Sequence, residues 1–170
     1  MSCIFTSKIY KSWKTTQEQK YEAILEILPE DEISGKRIAD IGSGSGFFET
    51  FLKNKDYIIK KFISVEPDEF MASKDKTSWK KVHARAESLP FEGRSFDGVV
   101  CIDTIHLVSD ARDMIRILKP KGWLLVALFC NPENMSARKK EIKKKFQKLK
   151  LVKEAVSKGK ELEIIMLFRK

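Results

Sequence analysis

Short apolar runs and amphipathic stretches succeed one another along this chain of 170 residues. The apolar runs predict strands at residues 36–41, 62–66, 95–103, 123–129 and 161–169, with another strand beginning at 82–84. Apolar residues at helical spacing predict helices over residues 16–28, 46–53 and 111–118, and residues 131–150 form a basic helix. Residues 151–156 fit either a sixth strand or a short helix. Strands and helices therefore alternate along most of the chain.

The chain is organised around the end of its first predicted strand. The run that contains Asp40 is followed by glycines at alternate positions, Gly42, Gly44 and Gly46. This pattern predicts a buried strand, a tight turn and the start of a helix. Glycine permits positive φ and lets the backbone approach a ligand closely, next to the free N–H groups of a helix N-terminus. A dinucleotide fingerprint would need a third glycine where Phe47 stands.

An acid also follows the second predicted strand. Glu66 lies twenty positions after Gly46 and precedes Pro67. A carboxylate at the tip of a second strand can accept two hydrogen bonds from a ribose diol. Taken alone, Glu66 would more often be a solvated charge, so the glycine turn before it supports the ribose role.

Two further segments follow Glu66 in the chain and add to the pattern of motifs. Residues 86–91 read Ala-Glu-Ser-Leu-Pro-Phe, and residues 118–124 read Leu-Lys-Pro-Lys-Gly-Trp-Leu. With the glycine turn and Glu66, they make the chain from about residue 36 onward resemble the class I S-adenosylmethionine-dependent methyltransferases. The resemblance is closest to the small-molecule, quinone-biosynthesis-like (type 11) group.

The resemblance implies an α/β fold, a Rossmann-like, doubly wound sheet of seven strands with helices on both faces. The implied strand order is 3-2-1-4-5-7-6, with the last strand antiparallel. Residues 1–170 would form a single domain, with residues 1–34 as an N-terminal helical lid segment and 131–150 as the basic helix. Within a mixed lead-in at residues 7–13, Tyr10 and Trp13 are candidates for the lid or for packing anchors.

The resemblance also implies S-adenosyl-L-methionine as cofactor and assigns roles around it. Asp40 would bind the methionine ammonium, the glycine turn would seat the methionine and ribose, and Glu87 would accept from the adenine amino group. The cofactor-binding candidates are Asp40, Gly42, Ser43, Gly44, Gly46, Glu66, Pro67, Ala86, Glu87, Cys101 and Ile102. The catalytic candidates beside the methyl group are Asp103 and His106, and we expect no metal site.

Methyl transfer from a sulfonium is an in-line displacement with a neutral leaving group. Orientation of the reacting atoms can supply up to roughly 7–11 kcal/mol. A general base is needed where the acceptor must lose a proton. His106 could serve as that base, and the alternative is a packed or solvated histidine.

The composition and the spacing of the cysteines indicate the cellular compartment. Hydrophobic residues make up 42% and charged residues 34% of the chain, and no apolar run reaches the ~18 residues of a membrane span. The first thirteen residues lack the apolar core of a secretory signal. Cys3, Cys101 and Cys130 are widely spaced without a C-x-x-C pair, which favours a reducing cytoplasm.

Positive charge is concentrated near the C-terminus. The net charge is +9, and residues 131–170 hold 13 Lys or Arg against five Asp or Glu. In the basic helix, Ile142, Phe146 and Leu149 form the inner face, and the lysines either dock an acidic partner or cover apolar surface.

Three functions remain open from the sequence. The first is methylation of a small molecule, and the second is methylation of RNA or protein docked on the basic helix. The third, a non-catalytic binding module, is disfavoured by the intact glycine turn, Glu66 and Glu87. Larger relatives insert residues after the fifth strand, so the acceptor site here is open, suited to a large acceptor, or completed by a second subunit in a homodimer.

Overall fold

Seven strands form one mixed sheet in the computed structural model. The structure describes residues 7–75 and 79–170, and for residues 7–15 and Lys158 it describes the backbone alone. The elements in order are α1 (Ser7–Ile27), β1 (Arg37–Ile41), α2 (Phe47–Asn54), β2 (Lys61–Val65), α3 (Glu69–Lys74), β3 (Lys80–Val82), β4 (Phe96–Ile102), α4 (Arg112–Ile117), β5 (Leu118–Cys130), α5 (Met135–Lys145), β6 (Lys150–Lys158) and β7 (Leu162–Arg169). Single 3₁₀ turns lie at Glu30–Glu32 and Ile105–Leu107.

The sheet has the order β3-β2-β1-β4-β5-β7-β6. β1 to β5 are mutually parallel, and β7 runs antiparallel between β5 and β6. The expected seven-stranded topology is therefore confirmed. Because the strands β1 to β5 point the same way, their carboxyl ends and the loops that follow them meet at one edge, here called the carboxyl edge. The opposite edge is the amino edge.

Apolar side chains alternate between two cores, one on each face of the sheet. Ile38 and Val100 belong to one core, whereas Ala39 and Val99 belong to the other. The first core receives apolar residues of α1 and α2, and the second receives those of α4 and α5. Period-2 alternation of this kind lets each strand bury both of its faces. Helices thus cover both faces, as expected.

Several predicted boundaries were wrong. The lead-in at residues 7–13 is part of α1, which starts at Ser7. β3 ends at Val82, where it was expected to begin, because its residues Lys80 and Lys81 are exposed on an edge strand and give no apolar signal. β5 begins at Leu118, earlier than predicted. Of the two alternatives left open for residues 151–156, the structure has the strand, β6.

The lid candidates Tyr10 and Trp13 lie in α1, but their side chains fall outside the part that the structure describes. The basic helix is shorter than the predicted 131–150, since α5 spans Met135–Lys145. Ile142, Phe146 and Leu149 are buried as expected, although Phe146 and Leu149 follow the end of the helix. No helix among the described residues combines the length and apolar composition needed to cross a bilayer.

Candidate active site

The carboxyl edge brings together the segments that carry the predicted site. β1 and β2 are in register from Arg37 opposite Lys61 to Ile41 opposite Val65, and Asp40 lies opposite Val100 of β4. The glycine turn, Glu66 and the segment after β4 therefore follow three neighbouring strands. This places them around one crevice, the usual ligand position in an open α/β sheet.

The glycine turn adopts the left-handed backbone that the sequence predicted. The φ angles are +77° at Gly42, +56° at Gly44 and +71° at Gly46. A Cβ at Gly42 would collide with the side chain of Thr104, which follows β4. At Gly44 the nearest atom to an added Cβ is Met71 Cε at 3.7 Å, so space is open there. The turn is thus packed against β4 at its start and open at its centre.

Asp40 is a buried carboxylate beneath this turn. Its side chain is 3% exposed, and its Oδ1 has no hydrogen-bond partner among the described residues. Burial, followed by the charges of Glu49 and Glu66, raises the pKa of Asp40 well above its usual range. A cationic group of a ligand beside Asp40 would offset this cost and favour the ionised carboxylate, so the site suits such a group.

Glu66 is tied to both sides of the crevice. Its Oε2 accepts from the N–H of Gly44 at 2.8 Å, and its Oε1 accepts from the N–H of Asp68 at 2.9 Å. Pro67 lies between Glu66 and Asp68 in the chain, and Asp68 caps α3 by accepting from Met71 N–H. Each oxygen of Glu66 keeps a further lone pair, which is the capacity that a ribose diol requires.

Glu87 connects the loop after β3 to the loop before α4. It accepts from Ser109 through the backbone N–H at 2.9 Å and the Oγ at 3.0 Å, both on Oε1. Burial opposes ionisation, but these donors hold the pKa of Glu87 below its usual range. The preceding Ala86 is buried. Oε2, which lies 3.6 Å from Arg85 Nε, remains the oxygen of Glu87 available to a base edge.

Asp103 belongs to an ionic cluster that the sequence did not predict. It has a left-handed φ of +55°, and its Oδ1 accepts from Phe129 N–H at 3.0 Å. Its Oδ2 pairs with Lys20 of α1, whose Nζ also lies 2.9 Å from Oε1 of Glu163 at the start of β7. The side chains of Lys20 and Glu163 are each 2% exposed. This cluster pins α1 to the carboxyl edge.

Both acids of this cluster stabilise the charge of Lys20, whereas the two acids repel each other. Burial alone would lower the pKa of Lys20, but Asp103 and Glu163 raise it above its usual range. Burial and the charge of Asp103 raise the pKa of Glu163 to about 7, against the opposing effect of Lys20. The sequence carried one signal that Lys20 is buried. Lys20 lies four residues before Ile24 and so shares the buried stripe of α1.

Glu49 is a second buried acid that sequence reasoning missed. It lies on α2 and accepts from Ser64 Oγ at 2.7 Å. Burial first, with the charge of Asp75, raises its pKa to about 7 despite the Ser64 hydrogen bond. Because Glu49 lies three residues before Leu52, it occupies the inward face of the helix.

The remaining candidates lie at or beyond the margin of the crevice. Cys101 is fully buried in the apolar core, and burial raises the pKa of its thiol. Ile102 is half-buried at the end of β4. His106 is exposed in the 3₁₀ turn Ile105–Leu107, three residues beyond Asp103. The structure therefore groups Asp40, Glu66 and the glycine turn and leaves His106 on the surface.

Comparison with known proteins assigns the family. A model of the methyltransferase domain, type 11, matches residues 39–126, from β1 to the middle of β5. The chain belongs to the methyltransferase domain family. S-adenosyl-L-methionine is the cofactor of this family. This agrees with the glycine turn and the acidic strand tips.

Relatives of known name match part of the chain. The ubiquinone/menaquinone biosynthesis C-methyltransferase UbiE of Vibrio cholerae is 32% identical over 111 residues, covering 58% of this chain and 43% of the relative. An uncharacterized protein of Methanocaldococcus jannaschii is 31% identical over 124 residues, covering 69% of this chain and 47% of that protein. The matched part of this chain thus spans less than half the length of these two relatives.

Solved structures share the fold over nearly the whole chain. One chain of the Haloferax volcanii complex that contains the Trm112 methyltransferase activator superposes with a TM-score of 0.75 at 15% identity, covering 94% of this chain and 92% of that one. The S-adenosylmethionine-dependent methyltransferase of Mesorhizobium loti gives 0.71 at 13% identity, with coverage of 89% and 98%. At these identities the likeness concerns the fold.

The residues present fit the family's cofactor. S-adenosylmethionine carries an ammonium and a sulfonium, and the carboxyl edge offers the unsatisfied Oδ1 of Asp40. Open space above Gly44 leaves room for a ligand against the backbone. Glu66 has spare acceptor capacity beside that space.

Proposed function

We propose that this methyltransferase domain catalyses S-adenosylmethionine-dependent methylation of a small molecule. The observation that carries the proposal is the acidic crevice over Gly44, with the buried, incompletely satisfied Asp40 beneath it. The alignment with UbiE, a C-methyltransferase of quinone biosynthesis, supports a small acceptor.

In this proposal the residues of the carboxyl edge bind and orient. Asp40 holds the methionine ammonium, the backbone from Gly42 to Gly46 lies against the methionine and ribose, and Glu66 accepts from the ribose hydroxyls. Ala86 and Glu87 border the adenine, and the end of β4 at Cys101 and Ile102 contributes backbone beside it. When bound, S-adenosylmethionine supplies an electrophilic methyl group on a positively charged sulfur.

Asp103 borders the methyl group as a positioning residue. Both of its oxygens are engaged, one by Lys20 and the other by Phe129 N–H, so it holds α1 and the end of β5 beside the end of β4. His106 is the base that we propose for an acceptor that must lose a proton, because its exposed ring can exchange that proton with water. For an acceptor that has no proton to lose, the rate enhancement comes from alignment of the acceptor atom, the methyl group and the sulfur.

Methylation of RNA or protein docked on α5 is the second candidate. Part of the charge of α5 is already neutralised, since Lys139 and Lys143 both pair with Glu154 of β6, at 2.8 and 2.7 Å. Lys145 donates to the carbonyl oxygen of Val108 at 2.6 Å. These contacts favour a supporting role for the helix and place the second candidate behind the first.

The cellular setting and assembly are part of the same proposal. A reducing cytoplasm suits Cys101 and Cys130, which are buried and unpaired.

A homodimer that completes the acceptor side is proposed because α5 follows β5 directly, without the inserted residues of larger relatives. Sedimentation of the purified protein would test it, and a monomer that methylates its acceptor would overturn it.

The acceptor class can be tested by following the methyl group. The protein would be incubated with methyl-labelled S-adenosylmethionine and three fractions of a cell extract, namely small molecules, RNA and protein. We expect label in the small-molecule fraction and none from the Asp40→Asn variant. Label confined to RNA or protein would contradict the proposal and support the second candidate.

A further inference from the structure

The amino edge of the sheet carries cations at the ends of six neighbouring strands. Parallel pairing places Arg37 of β1 opposite Lys61 of β2, and antiparallel pairing places Arg169 of β7 opposite Lys150 of β6. Arg94 precedes β4, and Lys119 lies at the start of β5. The cations of this edge are Lys36, Arg37, Lys60, Lys61, Arg94, Lys119, Lys121, Lys150, Arg169 and Lys170.

A broad concavity of about 710 Å³ opens in this edge below β2, β1, β4 and β5. Six of the cations line it, and the acids among its lining are Glu92 and Asp97. The lining cations are Lys36, Arg37, Lys60, Lys61, Arg94 and Lys119. The concavity therefore has a strong excess of positive charge.

Little of this charge is neutralised by the protein itself. Asp97 is committed, because it accepts from Lys119 Nζ at 2.7 Å and from Arg37 N–H at 2.9 Å. Arg169 pairs with Glu32. Among the described residues, the other eight cations of the edge have no carboxylate within ion-pair distance.

The fold also holds cations close to one another at this edge. Lys170 Nζ donates to the carbonyl oxygens of Ile115 at 2.6 Å and Leu118 at 2.8 Å. Burial, followed by the positive charge of Arg94, lowers the pKa of Lys170. Repulsion of this kind is relieved when a polyanion binds.

The chemistry of the edge favours phosphate groups over bases. No aromatic residue is among the lining of the concavity in the described structure, and Phe96 beside it is fully buried under the Arg37 guanidinium, 4.8 Å from its ring centroid. A base-stacking platform is therefore missing from this part of the surface. What is offered is a row of lysine and arginine side chains, the usual partners of a phosphate backbone.

The length of the row favours a polymer over a small anion. Six strands at ~4.8 Å spacing extend over ~24 Å. A nucleic-acid strand in a duplex presents one phosphate per ~3.4 Å, so this distance matches several consecutive phosphates. A concave surface accommodates a flexible single strand more readily than a rigid duplex.

We infer that the amino edge binds the phosphodiester backbone of single-stranded nucleic acid, independently of sequence. β4 alone spans Phe96–Ile102, which at ~3.3 Å per residue separates the two edges by roughly 20 Å. The bound strand therefore lies away from the methyl-transfer site and is not its acceptor. This binding does not depend on the proposed function, and S-adenosylmethionine is not needed to observe it.

The test is fluorescence anisotropy with a labelled 20-nucleotide oligo(U) RNA over a range of salt concentrations. The test variant is K60E/K61E/R94E, which reverses three exposed cations of the concavity. The matched control is K53E/K140E/K144E, which reverses three exposed cations on α2 and α5 and changes the net charge equally. Circular dichroism would confirm that both variants fold.

We expect the wild-type affinity to fall steeply with salt, because each phosphate contact adds about −0.7 to the logarithmic slope. The amino-edge variant should bind at least tenfold more weakly with a slope reduced by about two, whereas the control should change less than about threefold. Equal weakening in both variants, or binding insensitive to salt, would overturn the inference. Equally tight binding of polyglutamate or tripolyphosphate would overturn it as well.

Discussion

The two edges of the one sheet hold charge in opposite ways. At the carboxyl edge the acids are buried or partly buried, and specific contacts position them, as with Glu66 on Gly44 N–H and Asp103 on Phe129 N–H. At the amino edge the cations are mostly exposed and lack carboxylate partners, as with Lys60 and Lys61. The first arrangement suits a single ligand of fixed shape, and the second suits a flexible polyanion.

The largest effect is expected from removing the cation that the carboxyl edge buries. Lys20→Met leaves the buried carboxylate of Glu163 and the part-buried carboxylate of Asp103 without their partner. Breaking a buried pair in this way costs about 3–5 kcal/mol, which chemical denaturation would measure as a lower free energy of unfolding. The matched control, Lys55→Met, removes an exposed, solvent-screened cation and should leave the free energy of unfolding nearly unchanged. Similar losses in the two variants would mean that the cluster does not pin α1.

Glu49 gives the next largest effect, as a dependence of stability on pH. Its pKa is raised to about 7 in the folded protein, so the folded state binds more protons than the unfolded state above the ordinary glutamate value. Stability is therefore full at acidic pH and falls as pH rises toward about 7, by on the order of 3 kcal/mol. The Glu49→Gln variant should lose that part of the dependence, measured as unfolding free energies at pH 5 and pH 8. An unchanged profile would show that Glu49 ionises normally.

Two glycines of the turn separate a folding role from a binding role. Gly42→Ala meets both a positive φ and the side chain of Thr104, so it should destabilise the fold by about 2 kcal/mol or more. Gly44→Ala meets a positive φ but open space, so it should cost about 1 kcal/mol while weakening cofactor binding. Thermal unfolding and calorimetry would measure the two properties. The reverse order of stabilities would contradict the geometry of the turn.

The smallest effect is expected from salt concentration, which should change ligand affinity at the two edges to different extents. Screening acts weakly on a buried carboxylate such as Asp40. We therefore expect the affinity for S-adenosylmethionine to change less than about threefold between 50 and 200 mM salt. RNA binding at the amino edge should fall at least ~10-fold over that range. Parallel salt responses of the two ligands would remove the distinction between the edges.

The sequence was sufficient where local pattern and motif order determine the structure. The apolar runs located five of the seven strands, and the alternate glycines predicted a turn that the structure confirms with left-handed backbone at Gly42, Gly44 and Gly46. The family resemblance supplied the strand order, which a single apolar run cannot reveal. The roles assigned to individual cofactor-binding residues stay predictions.

The features that the sequence did not reveal are those fixed by tertiary contact. Lys20, Glu49 and Glu163 are charged residues that become buried because distant elements close over them. Their types alone predict exposure. β3 was misplaced for a related reason, since an exposed edge strand with two lysines carries no apolar period. The grouping of cations at the amino edge depends on the strand order, which brings residues as distant in sequence as Lys36 and Arg169 to the same edge of the sheet.

The most direct test of the central claim is calorimetric titration of S-adenosylmethionine into the wild-type protein and two matched variants at neutral pH. Asp40→Asn neutralises the buried acid beneath the glycine turn, and Glu92→Gln neutralises an exposed acid at the amino edge. We predict micromolar-range binding by the wild type, a loss of tenfold or more for Asp40→Asn, which is about 1.4 kcal/mol, and less than about twofold for Glu92→Gln. Unchanged affinity in the Asp40 variant would contradict the assignment of the carboxyl edge as the cofactor site.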